Sequence, residues 1–390
     1  MDKIAPLPPP APKLVKAFLE YPSLVQLLER RGMYIGDHSR CERKLAQVGY
    51  YRLSGYWHSA RAFTRVGRDI THHSEFQPQT SFEDVFNFYL FDKCVRQEFI
   101  SALERIEIYF RTIIAHEIGR ENPLAYKDKR LFTRNAFDSN KKGPNYSDWD
   151  ARHEQMLKES KEDSITSHIR AQKPIPIWVA AEAWDFGTLA KFYSMLKEPF
   201  KDKICTRVGV DNRDVLDNWL INLNGIRNRC AHHSRLCNRP SPRTFMLPRN
   251  GYFNLLALSQ NECEKLFGSI AVIWFLIKKI GPSSNWLFRM ADLIDKKPSV
   301  PGFFFSSMGF SKDATAFPRD RFTETKAALS TKIPASEQPM VSLPKEDELL
   351  SQLEAIAGIH PPTENSLRFS DRLLSLSCYF EEQEKTQSKT

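Results

Sequence analysis

Apolar residues recur at helical spacing along most of the chain. Phe82, Val85, Phe86, Tyr89, Leu90, Val95, Phe99, Ala102, Leu103, Ile106, Phe110, Ile113 and Ile114 follow three- and four-residue steps. This predicts one long helix from Ser81 nearly to Gly119. Ser81 supplies an N-cap, and Glu83 and Asp84 put acids in the first turn, where the helix dipole favours them. Leu216, Trp219 or Leu220, Leu223, Ile226 and Cys230 repeat the stripe and predict a helix over 213–231. Shorter helices are expected at 24–31, stopped by Gly32, and at 39–48, stopped by Gly49. Others fall at 149–160, 188–196, 259–280 and 286–293. The body carries no convincing β-hairpin pattern, so the expected class is all-α.

Composition divides the chain further. Residues 1–20 form a Pro-rich N-terminal segment, expected to be extended. Residues 21–75 read as a small basic, aromatic-rich helical unit, and 80–310 as the main helical bundle. From 311 to 390 Ser, Thr, Pro, Lys and Glu dominate, which predicts a low-order linker and tail with isolated helices at 345–357 and 366–380. The most apolar run, Ile270–Ile277, is shorter than the roughly 20 residues a membrane span needs. The N-terminus has no apolar signal region. Seven cysteines, odd in number and without CxxC spacing, suit a reducing compartment. A soluble cytoplasmic protein with no membrane partner is the expectation.

The formal net charge of +9 suits an acidic partner, with nucleic acid first. Between Arg30 and Arg68 there are nine Lys or Arg residues against two acidic ones. Tyr51, Arg52, Tyr56 and Trp57 lie inside this basic stretch. Cations interleaved with aromatics fit a phosphate backbone and stacked bases. The same aromatics equally suit the core of a small packed unit.

The densest chemistry is Asn222–His233. Asn224, Asn228 and His232 sit at four-residue steps and share one edge of the 213–231 helix. Arg227 is about 100° round from Asn228, yet its long side chain can lean into the same space. A permanent cation, an amide and an imidazole then face one small volume, as phosphate chemistry requires. Arg229 and Arg235 add further positive charge nearby. The plain alternative is a helix end capped by cations and Asn. Arg111 and His116 repeat the Arg227–His232 spacing and are a candidate second half-site. Glu107 precedes Arg111 by four residues and is expected to form a structural ion pair. Cys230, His232, His233 and Cys237 invite a metal reading, but adjacent histidines on a helix diverge by about 100°, and the spacing matches no usual zinc pattern. No metal and no cofactor are expected.

Taken in order, these segments resemble a known family. Tyr50–Trp57, Phe91-Asp92, Glu104–Glu107, Trp178 with Glu182 and Phe186-Gly187, then Ile226–Leu236 with Asn238-Arg239, are similar to the Abi-like abortive-infection proteins of the AbiD/AbiF type. The resemblance covers about residues 14–310. It implies a HEPN-like helical bundle, whose signature of Arg and His, with Asn often directly after the Arg, maps onto Arg227, Asn228 and His232. It also implies metal-independent RNA cleavage in phage defence, with two motifs face to face from two subunits or two domains. The implied partners are RNA (a tRNA or a structured non-coding RNA), a second copy of the chain, and an antitoxin or regulatory RNA. A non-catalytic RNA-binding or protein-interaction module is the alternative.

Overall fold

The computed structural model describes residues 16–322, except Arg68, Lys141 and Asn250. Most of the Pro-rich segment and the expected helices at 345–357 and 366–380 lie outside the described residues. The helices are α1 (Tyr21–Arg30), α2 (His38–Val48), α3 (Tyr50–Trp57), α4 (Phe82–Gly119), α5 (Tyr146–Glu159), α6 (Asp163–Arg170), α7 (Ile177–Ala180) and α8 (Phe186–Met195). They continue with α9 (Glu198–Val208), α10 (Arg213–Ala231), α11 (Gly251–Leu256), α12 (Gln260–Cys263), α13 (Leu266–Ile280) and α14 (Trp286–Asp295). The all-α expectation holds, with one addition: strands β1 (Arg61–Val66) and β2 (Asp69–Phe76) form an antiparallel hairpin between α3 and α4. Among the described residues no helix is long and apolar enough to cross a membrane.

The 38-residue α4 is the axis of the bundle. Ser81 Oγ accepts the Asp84 amide at 3.1 Å and fixes its start. Its buried residues, from Phe82 to Ile118, lie where α3, α8, α9, α10, α13 and α14 pack along it, and Glu83, Asn87, Gln97, Ser101, Glu104, Thr112 and His116 mark one exposed stripe. α13 is more fully enclosed, buried continuously from Leu266 to Ile277.

Several boundaries differ from the sequence expectation. The helix expected over 259–280 is broken into α12 and α13. Ser259 and Glu262 cap α12 reciprocally, and a Cβ on Gly268 would stand 2.6 Å from the Glu262 carbonyl oxygen. The folded body also runs past the expected limit at 310. Phe310, Phe317 and Phe322 are buried, with ring centroids 4.8, 6.1 and 5.9 Å from Phe267. Nor does the segment 21–75 keep a core of its own: Tyr56 packs edge-on to Phe88 of α4 at 5.2 Å, within one continuous apolar cluster.

One part of that core supports the site described below. Trp149, His153, Trp184 and Phe192 interlock between α5 and α8, with Trp149 and His153 stacked at 5.1 Å. Trp184 Nε1 donates to His153 Nδ1 at 2.8 Å, so the buried imidazole accepts there and is neutral. Burial, helped by Lys127, lowers the His153 pKa to about 4. In the unfolded chain it titrates near 6.5, so between these values the unfolded state binds more protons. Stability from this residue is therefore full above pH 6.5 and lost as pH falls toward 4. The loss amounts to about 3 kcal/mol for a shift of this size. Urea unfolding at pH 7.5 and pH 5 should show about 2 kcal/mol of that drop, and His153→Phe should flatten it.

Candidate active site

The end of α10 is built by its backbone. Asn212 Oδ1 caps the start, accepting the Asp214 amide at 2.8 Å. Leu216, Trp219, Leu220, Leu223, Ile226 and Cys230 are all buried, so both Trp219 and Leu220 face the core. Gly225 sits where the 238–245 segment crosses: a Cβ there would meet Pro242 Cγ at 2.6 Å. At the C-terminus the His232 amide donates to Asn228 O at 2.9 Å. The His233 amide donates to Cys230 O at 3.1 Å, and the Ser234 amide to Arg229 O at 2.8 Å. This is the closure that usually places glycine in a left-handed conformation just past the helix. Here His233 holds that position, with φ +56°. The turn leaves His232 and His233 exposed to solvent.

Arg227 leans on α4. Its Nε lies 3.6 Å from Glu107 Oε2, and its side chain is 35% exposed. Arg111 Nη2 donates to Glu107 Oε1 at 3.2 Å and to the Trp184 carbonyl at 2.9 Å. One mostly buried carboxylate thus holds both motif arginines. Burial raises the Glu107 pKa, while Arg227 and Arg111 oppose that shift. Asn228 Nδ2 donates to Asn224 Oδ1 at 3.5 Å, along the shared edge expected from the sequence. Gly187 packs against this edge; a Cβ on it would be 3.4 Å from Asn224 Nδ2.

Arg111 and Arg227 are therefore neighbours, but His116 and His232 are not. His116 is exposed on a separate groove of about 410 Å³, lined also by Arg111, Arg120, Trp178 and Glu182. It lies nine positions beyond Glu107, about 13 Å along α4. The C-terminal end of α10 lies in the opposite direction, where Cys230 is an electrostatic neighbour of Arg96. Arg96 and His116 are twenty positions apart, about 30 Å along a helix. Of the two equally spaced Arg and His pairs, one chain therefore brings together the arginines and not the histidines.

The segment after His233 is pinned by Asp92, which is fully buried in α4. Asp92 Oδ1 accepts the amides of Leu236 at 3.0 Å and Cys237 at 2.7 Å. Its other oxygen accepts the Tyr56 hydroxyl at 2.9 Å and pairs closely with Arg96. Arg235 Nη1 closes tightly on the Gly55 carbonyl, and Arg52 Nη1 donates to the His233 carbonyl at 2.9 Å. Together these contacts lock α3, α4 and the 233–237 turn into one corner.

This corner corrects part of the expected RNA-contacting set. Tyr56 and Trp57 are 2% and 0% exposed and cannot stack on a base here. With Leu53 and Ala60 they form the inner face of α3 and the turn after it, at helical spacing. Tyr51 is 72% exposed and Arg52 is exposed. Arg229 donates to the Pro240 carbonyl at 2.6 Å and is half-buried, as is Arg235. Cys230 and Cys237 are buried, the Cys230 thiol being pushed up to about 12 by burial, while the two histidines face solvent. Among the described residues no three His, Cys, Asp or Glu side chains are grouped to hold a metal ion.

The frame is a helical bundle that presents an Arg–Asn–His series at the end of one helix. A family model for Abi-like proteins matches residues 43–238, half of the chain. The chain belongs to the Abi-like family, a group associated with abortive infection and phage defence. The matched segment contains Asp92, Glu107, Arg111, Arg227 and His232. No curated protein and no solved structure matches the chain.

Removing one partner of a buried, hydrogen-bonded charge leaves the other unpaired and costs about 3–5 kcal/mol. Asp92→Ala should lose stability on that scale in urea melts. Glu83→Ala, which breaks an exposed pair with Arg40, should stay within about 1 kcal/mol of the parent.

Proposed function

We propose that this chain is a metal-independent endoribonuclease of the HEPN type, acting in phage defence. The observation that carries the reading is the end of α10. An exposed His232 follows Arg227 by five positions, and the turn just after it is held by Arg52 at the His233 carbonyl and by Asp92 at the Leu236 amide. RNA brings its own nucleophile. Its 2′-oxygen attacks the adjacent phosphorus as the bond to the 5′-oxygen breaks, giving a 2′,3′-cyclic phosphate and a 5′-hydroxyl. One base takes the 2′-hydroxyl proton and one acid supplies a proton to the leaving oxygen. His232 is the residue for one of these roles, since imidazole exchanges protons near neutral pH. Arg227 offsets the charge that builds on the phosphate, and Asn228 orients the imidazole or the phosphate.

Glu107 matters to this chemistry. Held from behind by a carboxylate, Arg227 keeps a fixed guanidinium plane, and its remaining N–H groups are free to meet an anion. The second imidazole is assigned to His232 of another copy, because His116 opens on a different groove. A homodimer that brings two α10 ends together completes the acid–base pair. The RNA is a tRNA or a structured non-coding RNA, and the silencing partner is an antitoxin or a regulatory RNA.

A second reading also has an observation behind it. Arg52, Arg229 and Arg235 each donate to a backbone carbonyl, so part of the positive charge is structural. On that reading the chain binds RNA without cutting it. The two are separated by incubating the protein with tRNA and mixed cellular RNA in EDTA. Wild type should produce fragments with 5′-hydroxyl ends, and His232→Ala should cut at least about 100-fold more slowly. Intact RNA with wild type, or equal cutting by His232→Ala, defeats the nuclease; salt-dependent binding without cutting then supports the binding module.

A further inference from the structure

The β1–β2 hairpin has no part in the reaction above. Its register pairs Phe63 with His72 and Arg65 with Ile70, so these four share one face. That face is apolar and basic, yet Phe63 is 51% and Ile70 47% exposed. A soluble domain rarely leaves such side chains together without a purpose. The face borders a groove of about 300 Å³ whose wall includes His58, Arg235 and Asn238. A wider groove of about 1070 Å³ adjoins it, lined by Arg65, Arg239, Lys265 and Lys312 among others. Ile70 and Asn238 line both, so the two are one channel. It begins at Arg235, three positions past His232.

The channel combines flat rings with cations. His58 and His72 have centroids 4.5 Å apart, and Phe63 lies 6.0 Å from His72. Burial, with His72, Arg61 and Arg235 nearby, lowers the His58 pKa and favours a neutral ring. Ser59 Oγ, on the groove wall, is buried without a hydrogen-bond partner among the described residues. Acidic side chains on the wider wall are already engaged. Glu262 accepts from Arg321 at 2.5 Å and from the Ser259 amide at 2.7 Å, and Glu264 accepts from Gln260 at 2.9 Å.

We infer that this channel binds single-stranded RNA flanking the cleavage point, with bases stacked on Phe63 and the His58–His72 pair. The backbone runs along Arg65, Arg235 and Arg239. Stacking platforms beside a cationic groove suit unpaired bases, whereas a duplex hides its ring faces. The assignment of RNA rests on the proposed nuclease reading, but binding is measured apart from cutting. The full chain carrying His232→Ala is titrated with fluorescein-labelled oligouridine in EDTA, and with a blunt RNA duplex of equal length. Oligouridine should bind more tightly than the duplex. Phe63→Ala should weaken it about tenfold, the loss of one base stack. Arg65→Ala should lower the slope of log affinity against log salt by about 0.7. Val66→Ala, on the opposite face and 74% exposed, should change neither.

Wild-type affinity in both Phe63→Ala and Arg65→Ala, or tighter binding of the duplex, overturns the channel. Photo-crosslinking of 4-thiouridine RNA to the parent chain is an independent check, and should label residues 61–76. Hairpin-dependent binding with no cutting by the parent chain would remove the nuclease and keep the channel. Cutting with hairpin-independent binding would do the reverse.

Discussion

The buried carboxylate of Asp92 is the constraint on which the rest of the candidate site depends. A charge in the interior is tolerable only when its lone pairs are filled. Asp92 fills them from three separate parts of the chain: Tyr56 in α3, Arg96 in α4, and the amides of Leu236 and Cys237 after α10. Any shift of one group leaves the others unsatisfied. The segment after His233 is therefore fixed to α4 by its backbone rather than by side-chain packing alone. That fixes where α10 ends, and so where His232 stands. It also holds Arg235 at the mouth of the hairpin channel.

Glu107 acts on the same helix one site further along. It lies fifteen positions after Asp92, about 22 Å up α4, and receives Arg227 and Arg111 together. Thus two carboxylates of α4 grip α10: buried Asp92 holds the turn beyond it, and mostly buried Glu107 holds an arginine within it. The two grips set both position and rotation of the last turns of α10. Arg111 extends the second grip to the Trp184 carbonyl, and Trp184 is packed against Trp149 and His153. An arginine that looked like half of a second site is the brace between this aromatic core and the first.

Much of the architecture was legible because helices with buried stripes announce themselves. α4 and α10 fall within a residue or so of their expected limits, since N-caps and apolar periodicity agree there. The hairpin was not legible for a physical reason. Alternation marks a strand only when one face is buried, and nearly every residue of β1 and β2 is exposed. The remaining signal was local: Gly67 at φ +62° in the turn, between β-branched Thr64, Val66, Ile70 and Thr71. Tyr56 and Trp57 were ambiguous because composition cannot assign a side of a helix. Reading α3 as a helix puts Leu53, Tyr56 and Trp57 on one face and Tyr51 and Arg52 elsewhere. Asp92 and Glu107 could be seen in the sequence as acids on a mostly apolar helix, but their partners in and just after α10 lie more than a hundred positions away.

Local rules are broken where the chemistry is densest. Among the described residues, two of the five non-glycine positions with positive φ are His233 and Asn238, on either side of the Asp92-bound amides. A helix closed as α10 is closed gains most from glycine at the left-handed position. Histidine there accepts a conformational penalty that glycine would avoid. The penalty is sustained because Arg52 and Asp92 over-determine the turn from both ends. In return the chain leaves His232 and His233 exposed on a backbone held from both ends. Strain held in place by buried charge is a costly way to end a helix, and what it secures is a fixed backbone beneath exposed side chains.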